Sequence, residues 1–369
     1  MTDLLPVFWL CGPSGVGKST IAWELFDGMP GAGYVDIDQL GMCFPEIPAD
    51  PGRTVLEGRI LGRAVANFRA AGARCLIVSG YIDAERGIHI GYLPEAALQV
   101  LRLRCDLPEL RRRLEARARP GEPRDLALHG AELLDRSGLP YECLDTTGRT
   151  AGEVLAAVRE RWPCPPARRP GPWPAGEPAP PGEIVWVCGA TATGKSTVGF
   201  AVYLAAQRGG HTAGFVDLQQ LGFLRPAPAG DPGNHRLKAA NLAAAWRTFH
   251  AHGARRLVVV GHVDRPDELR HYAAALAPAA VTLYRLHAGP EAVRDRIRQR
   301  GLGGGPPIAG DELRGRPAPV LDRAHAAAVA QAAALERTGV GDVRVDTDGR
   351  TAEDLAAEIA RKAGWSADV

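Results

Sequence analysis

The chain has 369 residues, 46% apolar and 23% charged, with 44 basic against 42 acidic side chains for a formal net charge of +2. That length accommodates two or three domains of ordinary globular composition. The near balance of charge argues against nucleic acid or an anionic membrane as main partner, and no apolar run nears the roughly 18 residues of a membrane span. The seven cysteines form no C-x-x-C pair, and the start MTDLLPVFWLCG has neither the basic region nor the cleavage site of a leader; both point to reduced thiols in a cytoplasmic protein.

The first apolar run, 5–11, leads into GPSGVGKST (12–20), and a helix-compatible stretch follows at 18–26. Gly12, Gly17, Lys18 and Ser19 satisfy G-x-x-x-x-G-K-[ST], the phosphate-binding P-loop. Glycines let successive backbone N–H groups, with Ser14 and Gly15 among them, turn inward around a phosphate. The helix N-terminus behind them, through Thr20, favours the anion. In this motif the lysine reaches the outer phosphates of a nucleoside triphosphate and the hydroxyl meets Mg²⁺, so ATP and Mg²⁺ are the expected cofactors.

Next, GYVDIDQLGMCFP (33–45) carries Asp36 and Asp38 at the end of a second strand-like run. Strand alternation sends both carboxylates one way and Ile37 into the core. A helical stretch (54–71), GARCLIVSGYID (72–83), the arginine-rich LRLRCDLPELRRRLEAR (101–117) and LDTTGRTAGEVLAAV (144–158) complete this half. Residues 162–183 hold nine prolines, the composition of a semi-rigid extended linker.

Beyond the linker the landmarks recur in the same order. CGATATGKST supplies Gly189, Thr191, Gly194, Lys195, Ser196 and Thr197 as a second P-loop; GFVDLQQLGFLRP (214–226), GARRLVVVGHVD (253–264), YRLHAGPEAVRDRIRQR (284–300) and VDTDGRTAEDLAAEI (345–359) follow. This is an internal duplication. Strands are expected at 5–11, 34–37, 74–79, 98–104 and 142–144, and at 184–188, 214–217, 256–260, 281–286 and 343–345. Their apolar runs lack strict alternation, as in strands covered on both faces. The expected fold is α/β: two tandem P-loop NTPase domains, each a parallel sheet flanked by helices, at 1–161 and 184–369, with ligands at the strands' carboxyl ends.

With these motifs in place, each half resembles the small P-loop kinases of the shikimate, gluconate and adenylylsulfate kinase kind, including chloramphenicol phosphotransferase. The resemblance implies an ATP-dependent kinase with a hydroxyl acceptor on a small metabolite or antibiotic. By the same resemblance Asp36 assists the metal or substrate, and Asp38 orients or deprotonates the attacking hydroxyl. Mg²⁺ then rests on Ser19, Asp36 and water, and in the second half on Ser196 and Asp217. Arg113 and Arg117, matched by Arg296 and Arg300, become lid arginines, while Arg149 and Arg350 flank the adenine base. A plain alternative for the last two is an N-capped turn, with Thr150 and Thr351 starting the final helices.

The halves are unequal. Asp217 matches Asp36, but Gln219 stands where the first half has Asp38. Between strands two and three the first half offers Glu46, Arg53, Glu57, Arg59 and Arg63, whereas the second offers Asn234, His235, Arg236, Lys238 and Asn241. Transfer is therefore expected chiefly in the first half. The second is either degenerate or tuned to another acceptor, in which case Lys195 and Asp217 alone, as the single aspartate of chloramphenicol phosphotransferase implies, serve catalysis there. A nucleotide-binding regulator or scaffold is the alternative, favoured for the second half, and a nucleotide or polynucleotide kinase is a third reading. The partners expected are a small-molecule acceptor and a nucleotide, with pairing of the two halves or a homodimer left open.

Overall fold

The structure, a computed structural model, describes residues 4–117, 124–305 and 310–365. In chain order its elements are β1 (Leu5–Cys11), α1 (Lys18–Asp27), β2 (Ala32–Asp36), β3 (Cys43–Phe44), α2 (Thr54–Ala70), β4 (Cys75–Gly80), β5 (Ala96–Arg104), α3 (Leu107–Arg117), α4 (Arg124–Arg136), β6 (Glu142–Asp145) and α5 (Ala151–Arg161). The second half continues with β7 (Glu183–Gly189), α6 (Lys195–Arg208), β8 (Ala213–Asp217), β9 (Phe223–Leu224), α7 (His235–Ala251), β10 (Arg256–Val260), α8 (Pro266–Leu276), β11 (Ala280–His287), α9 (Pro290–Gly301), α10 (Ala318–Thr338), β12 (Val343–Asp346) and α11 (Ala352–Lys362). The ten strands expected from apolar runs all form, with ends moved by at most two residues.

The chain folds into two compact units, and these do not follow the linear division at the linker. One comprises 1–41, 48–175 and 222–237; the other comprises 42–47, 176–221 and 238–369. The first unit's sheet runs β6-β5-β1-β4-β2-β9 and the second's runs β12-β11-β7-β10-β8-β3. Each sheet is thus edged by a strand from the other half of the sequence. Both added strands are antiparallel, with Gly33 opposite Leu224 and Tyr34 opposite Phe223 in one, Cys43 opposite Gly214 and Phe44 opposite Ala213 in the other. The sheets are therefore mixed, not wholly parallel. Short antiparallel additions satisfy the outer backbone groups of β2 and β8, which would otherwise be left as open edges.

In the first unit, side chains alternate across β1. Phe8 stacks on Trp162 at the end of α5 (5.1 Å, 11° between planes), while Trp9 turns to the opposite face, beside α2. Phe223 of β9 packs edge-on to Trp23 and lies against Phe26 and Tyr34, with ring centroids 5.0 to 6.2 Å apart. In the second unit, Val187, Val202, Phe215, Val258 and Leu286 centre a core closed by Ile359 and Trp365 of the α11 end, with Met42 and Phe44 against it. The recurring DPG turns are explained by capping. Asp50 accepts from the backbone of Val55 and Leu56 (3.0 and 2.9 Å), and Asp231 from His235 and Arg236 (2.6 and 3.0 Å), starting α2 and α7.

The proline-rich segment forms no helix or strand over 163–182, but it is laid against protein at both ends. In the first unit Gly171 donates to the Ala70 carbonyl (3.1 Å) and Arg236 lies over the Trp173 ring (4.5 Å). In the second, Trp246 Nε1 donates to the Pro180 carbonyl (3.0 Å) and Arg247 to that of Glu177 (2.8 Å). All seven cysteines are free, five of them buried. Among the described residues no helix is long and apolar enough to cross a membrane.

Candidate active sites

Both P-loops connect the carboxyl end of a central strand to a helix, β1 to α1 and β7 to α6. Close packing dictates their first glycine: a Cβ on Gly12 would lie 2.4 Å from the Leu103 carbonyl oxygen, and one on Gly189 2.5 Å from that of Leu286. At the fourth position the loops differ. Gly15 has φ +86° in the first, whereas Ala192 holds φ +62° in the second. A non-glycine residue in this left-handed region is strained by about 1–2 kcal/mol.

Each P-loop lysine folds back over its own loop. Lys18 Nζ donates to the Pro13 carbonyl (3.4 Å) and Lys195 Nζ to that of Ala190 (2.7 Å). Burial lowers the Lys195 ammonium to about 8, although Asp217 opposes the shift. Ser19 and Thr20 are exposed at the start of α1, and Thr197 at that of α6; Ser14 is half-buried. In the second unit Ser196 Oγ donates to Asp217 Oδ2 (3.3 Å). This pairing of a hydroxyl with a carboxylate, next to a helix N-terminus, is a hard-oxygen donor set suited to Mg²⁺ that keeps its waters and phosphate ligands. No cluster of three His, Cys, Asp or Glu side chains that could cage a metal occurs among the described residues.

The acidic pair sits differently from the strand-alternation expectation. β2 stops at Asp36, and residues 37–39 form a 3₁₀ turn in which Asp36 Oδ1 accepts from the Asp38 backbone N–H (3.2 Å). Ile37 is buried as expected, while Asp38 is exposed. Asp38 Oδ1 in turn accepts from the Tyr81 N–H (3.4 Å). Burial, and then Asp38 beside it, raise the Asp36 carboxyl above the usual range, with Lys18 pulling the other way. The two acids therefore have different neighbours: Asp36 lies within electrostatic reach of Lys18, and Asp38 accepts from the residue after β4. The second unit repeats the turn, Asp217 accepting from Gln219 N–H (3.0 Å).

Next to Tyr81 the first unit has a pocket lined by Trp9, Ile37, Thr54, Glu57, Ile82 and His89, among others. Of the polar residues expected between strands two and three, only Glu57 lines it. Arg59 and Arg63 are exposed on α2, Arg53 donates to the Gly41 carbonyl, and Glu46 lies in the segment that joins the second unit. Glu57 is 8% exposed. Burial, followed by Asp38, pushes its carboxyl up to about 9, so it is neutral at pH 7.

Arg113 and Arg296 are not poised as lid arginines. Arg113 donates to the carbonyls of Val16 and Thr146 (3.2 and 2.8 Å) and pairs with Glu109 (2.8 Å). Arg296 likewise donates to the Thr193 and Thr347 carbonyls (3.2 and 3.3 Å). Each guanidinium bolts a P-loop to the turn before the last helix. Five donors in a rigid fork suit that bridging role. Arg117 ends α3, and its side chain lies outside the described residues. Arg300 pairs with Asp311 (2.9 Å) and is close enough to Lys195 to lower its ammonium. Arg149 is exposed, and Arg350 pairs with Glu358 (2.7 Å). Thr150 and Thr351 cap α5 and α11 through the Glu153 and Asp354 N–H groups (3.3 and 3.1 Å).

Two residues outside every motif lie at these sites. Gln331 of α10 accepts from the Thr191 N–H (2.9 Å) and donates to Asp264 Oδ1 (2.8 Å), so it occupies a P-loop donor of the second unit. Trp9 is 3% exposed, and its indole N–H has no hydrogen-bond partner among the described residues. An apolar run gives no sign of either.

Solved structures similar to the chain include a tunicamycin resistance protein of Deinococcus radiodurans (TM-score 0.34, 18% identity, 50% of this chain and 96% of that one). A gluconokinase from Sinorhizobium meliloti 1021 is similar at TM-score 0.33 and 21% identity over 50% of this chain and 94% of its own. The APS kinase of Mycobacterium tuberculosis, solved with AMPPNP and APS, is similar at TM-score 0.30 and 20% identity over 49% and 98%. These are likenesses of fold. No family model and no curated protein sequence matches the chain.

Proposed function

We propose that the first unit moves the γ-phosphate of ATP to a hydroxyl of a small molecule. The observation that carries this reading is the divided acidic pair: Asp36 in the field of Lys18, and Asp38 held by the backbone of Tyr81, which lines the adjoining pocket. Phosphoryl transfer needs chiefly positioning and charge stabilisation. Lys18 and the P-loop amides hold the phosphates, and Asp38 orients the acceptor hydroxyl and takes its proton. Ser19 and Asp36 are the residues to hold Mg²⁺, which offsets phosphate charge when bound. Arg113 keeps the loop in shape and Arg149 flanks the base.

The second unit is read as a nucleotide site of weak or no turnover. Gln219 cannot act as a base, and Gln331 competes for Thr191. Lys195, Ser196 and Asp217 still supply phosphate and metal contacts there.

Mass spectrometry of a metabolite mixture incubated with ATP and the full chain tests the reading: one product heavier by a phosphoryl group is expected. Lys18→Ala should abolish it, while Lys195→Ala should leave most of it and remove one equivalent of nucleotide in calorimetry. Loss of product with Lys195→Ala alone would place the engine in the second unit.

A further inference from the structure

The acceptor's charge class is written in the first unit's pocket. Trp9 lines it from β1 with an unpaired indole N–H, buried to 3% exposure. Its counterpart three residues before the second P-loop is Trp186, whose indole N–H donates to the Gly261 carbonyl (3.1 Å). Buried donors are nearly always satisfied, so the two copies pose the same demand and only one meets it internally. A ligand oxygen in the first unit's pocket would meet it there.

No lysine or arginine is among the described residues lining this pocket. Its ionisable lining is Glu57, Asp83 and His89, with Tyr81 at the rim. Asp36, Asp38 and Asp50 also act on Glu57, opposed by Arg53, whose guanidinium is already donated to Gly41. Asp83 is engaged in its own turn, accepting from Glu85 and Arg86 N–H (2.8 and 2.7 Å), and His89 Nε2 pairs with Thr54 Oγ1 (3.1 Å). A carboxylate or phosphate entering here would lose its water and gain no cation. Ile37, Ile82, Ile88 and Leu93 supply apolar wall.

We infer that this pocket takes an uncharged alcohol, one of whose oxygens accepts from the Trp9 indole N–H, and that it rejects carboxylated and phosphorylated acceptors. The inference rests on reading the pocket as the acceptor site. At the matching positions the second unit replaces Asp38 and Glu57 by Gln219 and Lys238; burial raises the Asp217 carboxyl there, and Lys238 is near enough to pull the other way. The lack of a lysine or arginine among the described lining residues therefore marks the first pocket and is not carried over to the matching positions of the repeat.

Saturation-transfer NMR on the full chain tests this with a broad panel of uncharged alcohols and their anionic counterparts, such as glucose beside gluconate and glucose 6-phosphate. Only uncharged members should bind, and each binder should shift the Trp9 indole N–H resonance. Trp9→Phe, which keeps the ring and deletes the donor, should weaken them about 3- to 10-fold at unchanged ATP affinity. Preference for anionic members, an unshifted Trp9 resonance, or no uncharged binder overturns the inference. Phosphorylation is assayed on the same compounds. Binding that moves Trp9 without any phosphorylated product would refute the kinase reading and leave this one standing.

Discussion

Glu57 is a carboxyl group that folding forces into its neutral form. Its ordinary value of 4.5 rises to about 9 through burial and the neighbouring Asp38. Between those values the folded chain holds a proton that the unfolded chain releases, so the group's contribution to stability is full below pH 4.5 and is lost as pH climbs to 9. A single such group gives a slope of at most about 1.4 kcal/mol per pH unit. Glu57→Gln should therefore flatten the fall of stability between pH 5 and pH 9, as measured by denaturant unfolding at a series of pH values. Asp38 makes a different demand. Asp38→Asn should lower kcat by about 10²–10⁴-fold while leaving ATP affinity nearly intact, since a positioned base contributes about that much; steady-state kinetics on an identified acceptor checks it. The two strand-to-helix loops and the acidic strand end could be located from residue type and spacing. Two things escaped. Asp36 ends the strand by accepting from Asp38 N–H, which breaks the alternation expected of a continuing strand. Trp9 reads as one more apolar residue until its missing partner is seen in three dimensions.

At the scale of elements, the long apolar runs declared themselves and the edge strands did not. β3 and β9 are each two residues, Cys43–Phe44 and Phe223–Leu224, too short for any periodicity, and each pairs with a strand from the other half of the sequence. No local pattern encodes such a partner. The energetic content of β9 is nonetheless large, because Phe223 is 6% exposed among Trp23, Phe26 and Tyr34. Phe223→Ala should cost about 3–5 kcal/mol. The loss should fall on the first unit, although the residue lies in the second half of the chain. Hydrogen-exchange mass spectrometry should show faster exchange in residues 32–36 and little change in 213–217; the reverse pattern would contradict the pairing. In the same way, Gln331 on α10 was invisible because a glutamine within an alanine-rich helix carries no sign of the P-loop amide it meets. Gln331→Leu should tighten nucleotide binding in the second unit about 3- to 10-fold by freeing Thr191 N–H, as read by calorimetry in a Lys18→Ala background.

For the whole molecule, the sequence shows matching landmarks on either side of a proline-rich stretch, but it gives no sign of the crossing of segments 42–47 and 222–237. Cleavage between residues 175 and 176 should consequently fail to give two self-sufficient proteins. Fragment 1–175 lacks the edge of its own sheet and carries that of the other, and fragment 176–369 is its mirror in this respect. Expressed singly, each should be poorly soluble or lack a cooperative melt. Expressed together, they should copurify and melt like the intact chain; soluble, independently melting fragments would refute this. Gene duplications ordinarily leave one copy free to decay or be deleted once the other suffices. Here deletion of either half would strip a strand from the survivor, so the second copy is bound to persist as scaffolding for the first whether or not it turns over a nucleotide.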